Sequence, residues 1–429
     1  MPEDAGPSQQ SPPGRNVLLV VPCSLRVGGG QELDVLRLAA RLARRSFRVR
    51  VVDFQAFLRE EPRLTDANVT EKLAGTTRVT LGAIPLIRKL TALPTIRAAR
   101  RLKAEIAGAD VVIHCPYYLE DLAVTLLARL NHRPLIASQE NTFLHRVPGN
   151  PREALQDLWN RVVGVRLLRS IAGVRTLGSD EQETLRSFGV DRSLVLYVPP
   201  WSGDLPGRMP SPADRPLPTP SGAPESAAEL RVLISGRMTP QKGTATIVEI
   251  LERCGHRPEL LARLRFLFVG TRQLPFEIDR FIREFPDRAQ NLGFFPGGLA
   301  EVFARTDVLL MPSLYESLGF TAVEAIGNGV PVIASDVSGL REVVRPGETG
   351  WLAPPRDPEA FVRLLEACLT QKVSDPSGWN ELRARCRASF QLRFGPEVLE
   401  GQFEQFVTWL DSEGSKAGSP AERGSPANQ

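Results

Sequence analysis

The sequence predicts an α/β protein of two doubly wound domains, each a parallel sheet with helices on both faces. Three observations carry that expectation. Short apolar runs alternate with stretches of helical periodicity along most of the chain, as a parallel sheet with crossover helices requires. A segment with nine prolines, residues 199–224, interrupts the alternation near its middle. The 429 residues suffice for two domains of ordinary size.

Val17–Val21 reads as the first strand, followed by a glycine loop at Gly28, Gly29 and Gly30. Gln31–Arg45 has helical periodicity through Leu33, Leu36, Leu38 and Leu42, and Arg48–Phe54 is the second strand. Asp110–Ile113, Pro134–Ser138, Gly173–Leu177 and Leu194–Val198 read as further strands with helical patterns between them. After the prolines, strands restart at Leu230–Ser235, Arg265–Val269, Asn291–Phe295, Asp307–Pro312 and Val330–Ser335. Helical stretches at Glu359–Thr370, Trp379–Phe390 and Glu397–Leu410 close the chain. Residues 1–14 and 412–429 are Pro/Ser/Gly-rich and read as disordered tails.

Composition narrows the class. Hydrophobic content of 42% and charged content of 24% are those of a soluble globular protein. No run of 18 apolar residues exists, and the acidic, Pro-rich N-terminus is unlike a signal peptide. Cys23, Cys115, Cys254, Cys368 and Cys386 lie far apart without metal-binding spacing, which suits buried thiols in a reducing cytoplasm. Residues 1–200 carry 28 Lys and Arg against 20 Asp and Glu, a net +8, whereas the rest is net −4. A basic first half points to an anionic partner there, either a phosphorylated acceptor or a membrane surface. No basic motif interleaved with aromatics argues for nucleic acid.

The most informative segment is MPSLYESLGFTAVEAIGNGVPVIAS, residues 311–335. It reads strand, loop, helix, strand. Glu316 falls in the loop at a strand's carboxyl end, where ligands of open α/β sheets bind, and Glu324 about two turns into the following helix. Ser317 is the expected cap of that helix. The amides of Gly319 and Phe320, with Thr321 beside them, stand at its start, where an anion or a hydroxyl-rich ring can be met. Carboxylates accept hydrogen bonds from sugar hydroxyls, so the arrangement suits a nucleotide sugar.

This segment, with its tail GNGVPVIASDVSGLREVVRPGETGWL, resembles the E-x7-E motif of retaining glycosyltransferase family 4, whose fold is GT-B. The resemblance covers roughly residues 15–411 and is strongest in the second half. It implies two Rossmann-like domains facing a central cleft: an acceptor-side domain at 15–198, a linker at 199–228, a sugar-donor-binding domain at 229–394, and a helix at 395–411 crossing back to the first domain. LRVLISGRMTPQKGTATIVEIL looks like that family's G-R-x4-K-G motif, with Gly236 and Arg237 after a strand and Lys242 at a helix start. Arg237 offers a planar fork to phosphate oxygens and Lys242 a point charge, so both suit a departing diphosphate. Glu316 is then expected to orient the sugar hydroxyls and Glu324 to hold the ribose. No D-x-D occurs, which agrees with transfer that needs no metal and no cofactor besides the sugar donor.

Gly28, Gly29 and Gly30 look like the family's first-domain glycine loop, facing acceptor and phosphates; they are not G-x-G-x-x-G. His114 ends a predicted strand and is a candidate to hydrogen-bond the sugar's 6-hydroxyl or to assist the acceptor; His145 is a weaker one. Two departures stand out. The base loop reads Val269-Gly270-Thr271-Arg272 where the family often has V-G-x-G, and the linker lacks P-N-G-x-D. Leu86–Lys103 combines six basic residues with an apolar set, a candidate for lying on anionic lipid, although Pro94 splits it. The expected activity is retaining, metal-independent sugar transfer to an acceptor the sequence does not identify, in the cytoplasm or peripherally at a membrane's inner face. The alternatives are a GT-B epimerase, or a silent nucleotide-sugar-binding subunit beside an active transferase.

Overall fold

The computed structural model describes residues 14–21, 24–27, 30–45, 47–54, 65–73, 75–87, 91–115, 119–138, 154, 157–196, 228–270, 274–293 and 299–418. Its first sheet contains β1 (Asn16–Val21), β2 (Arg48–Phe54) and β3 (Thr77–Leu81); β4 (Ala83–Ile87) and β5 (Thr91–Pro94) form a separate antiparallel hairpin. β6 (Val111–His114), β7 (Leu135–Ser138), β8 (Gly173–Thr176) and β9 (Ser193–Val195) complete the sheet, in the order β3-β2-β1-β6-β7-β8-β9. The second sheet runs β12-β11-β10-β13-β14-β15, from β10 (Leu230–Ser235), β11 (Leu264–Val269), β12 (Ala289–Gly293), β13 (Val308–Met311), β14 (Val332–Ser335) and β15 (Gly350–Ala353). Every pairing in both sheets is parallel.

Strand order reverses between β1 and β6 in one sheet and between β10 and β13 in the other. Each reversal opens a crevice at the strands' carboxyl ends, because helices leave the two neighbouring strands for opposite faces. The central strands β1 and β13 are apolar along nearly their whole length, as burial on both faces demands: Val17–Val21 are all buried, and so are Val308–Met311. Leu18, Leu19, Val51 and Ile113 anchor the first core, and Phe266, Phe268 and Phe361 the second.

The last helix, Pro396–Gly418, lays Phe403, Phe406 and Leu410 into the first domain's core. Its Glu400 pairs with Arg41 of the helix Gly30–Arg44 and with Arg45 just past that helix. The indole of Trp409 fills the space over Gly173, where any side chain would collide with it. Leu177, just past β8, packs in turn within the second domain's cluster around Leu340 and Val343.

Several sequence expectations are corrected. Leu86–Lys103 is not a split amphipathic helix: Leu86 and Ile87 lie in β4, Thr91–Pro94 form β5, and the helix begins only at Ile96. Thr95 caps that helix, its hydroxyl accepting from the Ala98 amide at 3.1 Å, so Pro94 marks a helix start and not a break. Ser317 does not cap the helix Phe320–Gly327; Gly319 is its N-cap, in the left-handed region at φ +83°. The chain does not become a tail at residue 412, because the helix continues to Gly418, held by Arg15 through Asp411 (3.0 Å) and Ser415 (2.6 Å). β14 starts two residues after the expected Val330, since Pro331 has no amide to donate. β3, the hairpin and β15 were not anticipated. Residues 1–13, 197–227 and 419–429 lie outside the described residues, and with them the proline-rich segment.

Candidate active site

The site assembles from two loops at the carboxyl edge of β10 and β13. Gly236 follows β10 at φ +119°, a conformation only glycine holds without strain, and its amide donates to the Val269 carbonyl at 2.8 Å. Gly270 seats against Gly236's backbone, where a side chain would come within 2.9 Å. Three residues beyond Arg237 the chain forms a single 3₁₀ turn, Pro240–Lys242, and Gly243 reverses it at φ +71°. A side chain at Gly243 would collide with the Pro312 carbonyl, so this glycine lets the turn lie directly on the loop after β13. The Leu314 amide donates to the Gln241 carbonyl at 2.8 Å and joins the two loops.

That seam brings the two motifs together. The Lys242 ammonium lies 2.5 Å from Glu316 Oε1, and the Ser313 hydroxyl donates to the same oxygen at 2.8 Å. Glu316 is 6% exposed, whereas the Lys242 side chain keeps 25% of its surface, so the cation is the member open to a ligand. Arg237 is half-buried beside Gly236 at the same edge.

Behind them the helix Phe320–Gly327 carries Phe320, Thr321 and Glu324, all half-buried. Leu340 packs on Gly319 from below, where a side chain at that glycine would meet it at 2.7 Å. Glu324 keeps part of its surface in water, yet burial pushes its carboxyl up to about 7; the positive charge of Arg37 draws it back down. Arg37 belongs to the helix Gly30–Arg44 of the first domain, so the two domains already sense each other's charge across the cleft.

The first domain's candidates are placed less completely. His114 ends β6 in register with Val20 and Ala137; it is 3% exposed, with Nδ1 3.3 Å from the Val20 carbonyl. Gly30 begins the helix Gly30–Arg44, while Gly28, Gly29, His145, Thr271 and Arg272 lie outside the described residues.

Two buried groups escaped the sequence reading. Asp53 is the penultimate residue of β2, near the strand end where dinucleotide-binding domains keep an acid for ribose. Here it is fully buried and accepts from the Leu25 amide (3.1 Å), Arg78 (2.6 Å) and the Thr80 hydroxyl (2.7 Å), so its acceptors are already engaged. Arg175 at the end of β8 holds Asp34 of the helix after the glycine loop in a fully buried bidentate pair, with Ser138 Oγ at 2.8 Å and the Leu196 carbonyl at 3.0 Å. Their signal in the sequence was a charged residue within or just after an apolar run. Among the described residues, no group of three His, Cys, Asp or Glu side chains is arranged to hold a metal ion.

Two facing doubly wound domains with this crevice between them have the GT-B architecture, and the chain is a glycosyltransferase. Residues 29–201 match the glycosyl transferase 4-like domain, and residues 229–371 match the glycosyl transferases group 1 domain. The chain is 28% identical over 369 residues to the D-inositol 3-phosphate glycosyltransferase of Geodermatophilus obscurus, a match spanning 80% of this chain and 78% of that protein. Its fold is similar to that of HepE from Anabaena, solved with UDP-glucose (TM-score 0.65, 18% identity, covering 91% of this chain and 99% of HepE). It is equally similar to sucrose-phosphate synthase from Thermosynechococcus elongatus (TM-score 0.66, 20% identity, covering 93% and 100%).

Proposed function

We propose that this glycosyltransferase moves a sugar from a nucleoside diphosphate to a hydroxyl acceptor with retention of anomeric configuration and without a metal ion. The observation that carries the reading is the Lys242–Glu316 contact of 2.5 Å, which joins a diphosphate-compatible cation to a sugar-compatible carboxylate at one sheet edge. Arg237 and Lys242 stabilise the charge that grows on the departing diphosphate. Glu316 and the amides of Gly319 and Phe320 orient the sugar, and Glu324 holds the ribose. The bond from the anomeric carbon to the diphosphate oxygen breaks as the acceptor oxygen attacks from the same face. The acceptor's proton passes to that phosphate oxygen, so no protein base is needed. Closing the cleft keeps water from the oxocarbenium-like centre.

The sugar donor belongs to the second domain, and the basic first domain takes the acceptor. D-inositol 3-phosphate, named in the relatives, is an anionic polyol of the expected kind and the first acceptor to assay, with UDP-glucose as sugar donor. Proton NMR of the product will show the anomeric configuration of the sugar donor preserved; an inverted product contradicts the mechanism.

Peripheral attachment to an anionic membrane, from a cytoplasmic location, is favoured by a specific surface. Among the described residues no helix is long and apolar enough to cross a membrane. The helix Leu119–Leu130, however, exposes Leu122, Leu126 (58%) and Leu130 (63%) along one side. The adjoining helix Ile96–Ala107 exposes Ile96 together with Arg97, Arg100 and Lys103. An apolar stripe with cations at its flank fits the boundary between headgroups and acyl chains. The protein will co-sediment with vesicles containing phosphatidylglycerol and not with pure phosphatidylcholine, and Leu126→Glu with Leu130→Glu will abolish the difference. Equal recovery of parent and variant sinks this reading.

A further inference from the structure

The helix Ser179–Ser187 begins the last crossover of the first domain, and its N-cap, Gly178, has no side chain to satisfy the helix's first amides. The acceptor comes instead from the second domain. Glu342 Oε2 lies 2.8 Å from the Ser179 amide and accepts its hydrogen. Glycine at 178 leaves room for this contact: a side chain there would stand 2.7 Å from Glu342 Oε2, which would have to shift, and 3.0 Å from the carbonyl of Ser317. The first domain's loop therefore rests simultaneously on Glu342 and on the residue next to Glu316.

Glu342 is itself tied to the sugar-donor loop. It belongs to the helix Ser338–Val343, whose Gly339 amide donates to the Glu316 carbonyl at 3.2 Å and whose Leu340 underlies Gly319. The far end of that helix is pinned by Arg393, which donates to the Glu342 and Val343 carbonyls. Beside the cap, Leu177 inserts into the cluster around Leu340 and Val343. One short rigid element thus carries the back of the sugar-donor loop on one side and the start of a first-domain helix on the other.

We propose that Glu342 is a positioning residue for transfer: by capping the Ser179–Ser187 helix from the other domain, it fixes the first domain against the Glu316 loop. A carboxylate at a helix N-terminus meets both the open amide and the positive end of the helix dipole, so the contact is directional. Burial pushes the Glu342 carboxyl above its ordinary value, and the hydrogen bonds from Ser179 only partly offset that rise. Asp180, in the first turn of the capped helix, opposes the charge. This assignment rests on the reading of the Glu316 loop as the sugar-donor site.

The test compares full-length Glu342→Ala and Glu342→Gln with the parent. Losing a charge-assisted hydrogen bond typically costs roughly ten- to a hundredfold. Glu342→Ala is expected to lower kcat by that factor while UDP affinity, which the second domain supplies, stays within about twofold. Glu342→Gln keeps an acceptor oxygen and is expected to recover much of the rate. Hydrogen exchange at Ser179 and the next amides is expected to quicken in Glu342→Ala alone. Native turnover with native exchange in Glu342→Ala overturns the proposal. So does a parallel loss of turnover and UDP affinity, which marks a merely structural residue. If the parent binds no nucleotide, the sugar-donor reading fails instead, and exchange at Ser179 still decides whether the cap holds.

Discussion

Lys242→Ala and Arg237→Ala will each lower the turnover of sugar transfer by roughly two to three orders of magnitude, the usual cost of removing one stabiliser of transition-state charge. The effect arises because breaking the anomeric bond adds a negative charge to an already anionic diphosphate, and in a partly buried crevice a fixed cation acts on it more strongly than in bulk solvent. The two variants will differ in a second respect. Lys242 is paired with Glu316 at 2.5 Å, so its removal takes from that buried carboxylate the cation it is paired with and leaves it the Ser313 hydroxyl (2.8 Å). Lys242→Ala will therefore also disturb sugar orientation, and Lys242→Arg will recover only part of the rate, because a planar fork does not reproduce a point charge. Steady-state rates at saturating sugar donor measure this. A variant with near-native turnover removes its residue from the mechanism.

Glu324→Gln will weaken binding of the free nucleoside diphosphate by roughly ten- to a hundredfold, the range expected for one hydrogen bond to a charged group. Glu316→Gln will mainly slow transfer. The Glu324 effect carries a pH signature. Burial raises this carboxyl to about 7, above its ordinary 4.5, so the folded protein holds the proton more tightly than the unfolded chain. Folding therefore gains from Glu324 most fully below its unfolded value, and that gain is lost as pH rises to about 7. The ionised form that accepts from ribose hydroxyls predominates only above that point. Nucleotide affinity will rise between pH 6 and 8 in the parent and stay level in Glu324→Gln. Calorimetry with UDP separates the roles: undiminished UDP binding by Glu324→Gln dismisses the ribose assignment, and a loss confined to Glu316→Gln reverses the two carboxylates.

The parts of this protein that were readable in its sequence are those whose signal is local. β2 and β10 stand where the sequence places them, Arg48–Phe54 and Leu230–Ser235, because the apolar residues at their centres, Val51–Val52 and Val232–Ile234, suffice to mark strands of a buried sheet. Glu316 and Lys242 were singled out from two motifs 74 positions apart, and the chain brings them into contact. What failed was context. β15 begins at Gly350 (φ +154°), a residue that pattern reading takes for a turn, yet Val332 leaves no room there for a side chain. The helix after Glu316 starts at Phe320 and not beside Ser317, because Gly319 turns left-handed over Leu340, a neighbour twenty-one positions away. The Glu342 cap joins residues 163 positions apart and leaves no mark in either local pattern.

Calorimetric titration of the purified protein with UDP, in buffer containing excess EDTA and again with magnesium, tests the central claim most directly. If Arg237 and Lys242 supply the positive charge for the diphosphate, UDP will bind with the same affinity in both buffers, and Lys242→Ala will weaken binding in both. Binding that appears only with magnesium, or that is indifferent to Lys242, would contradict a site in which the protein's own cations hold the leaving group.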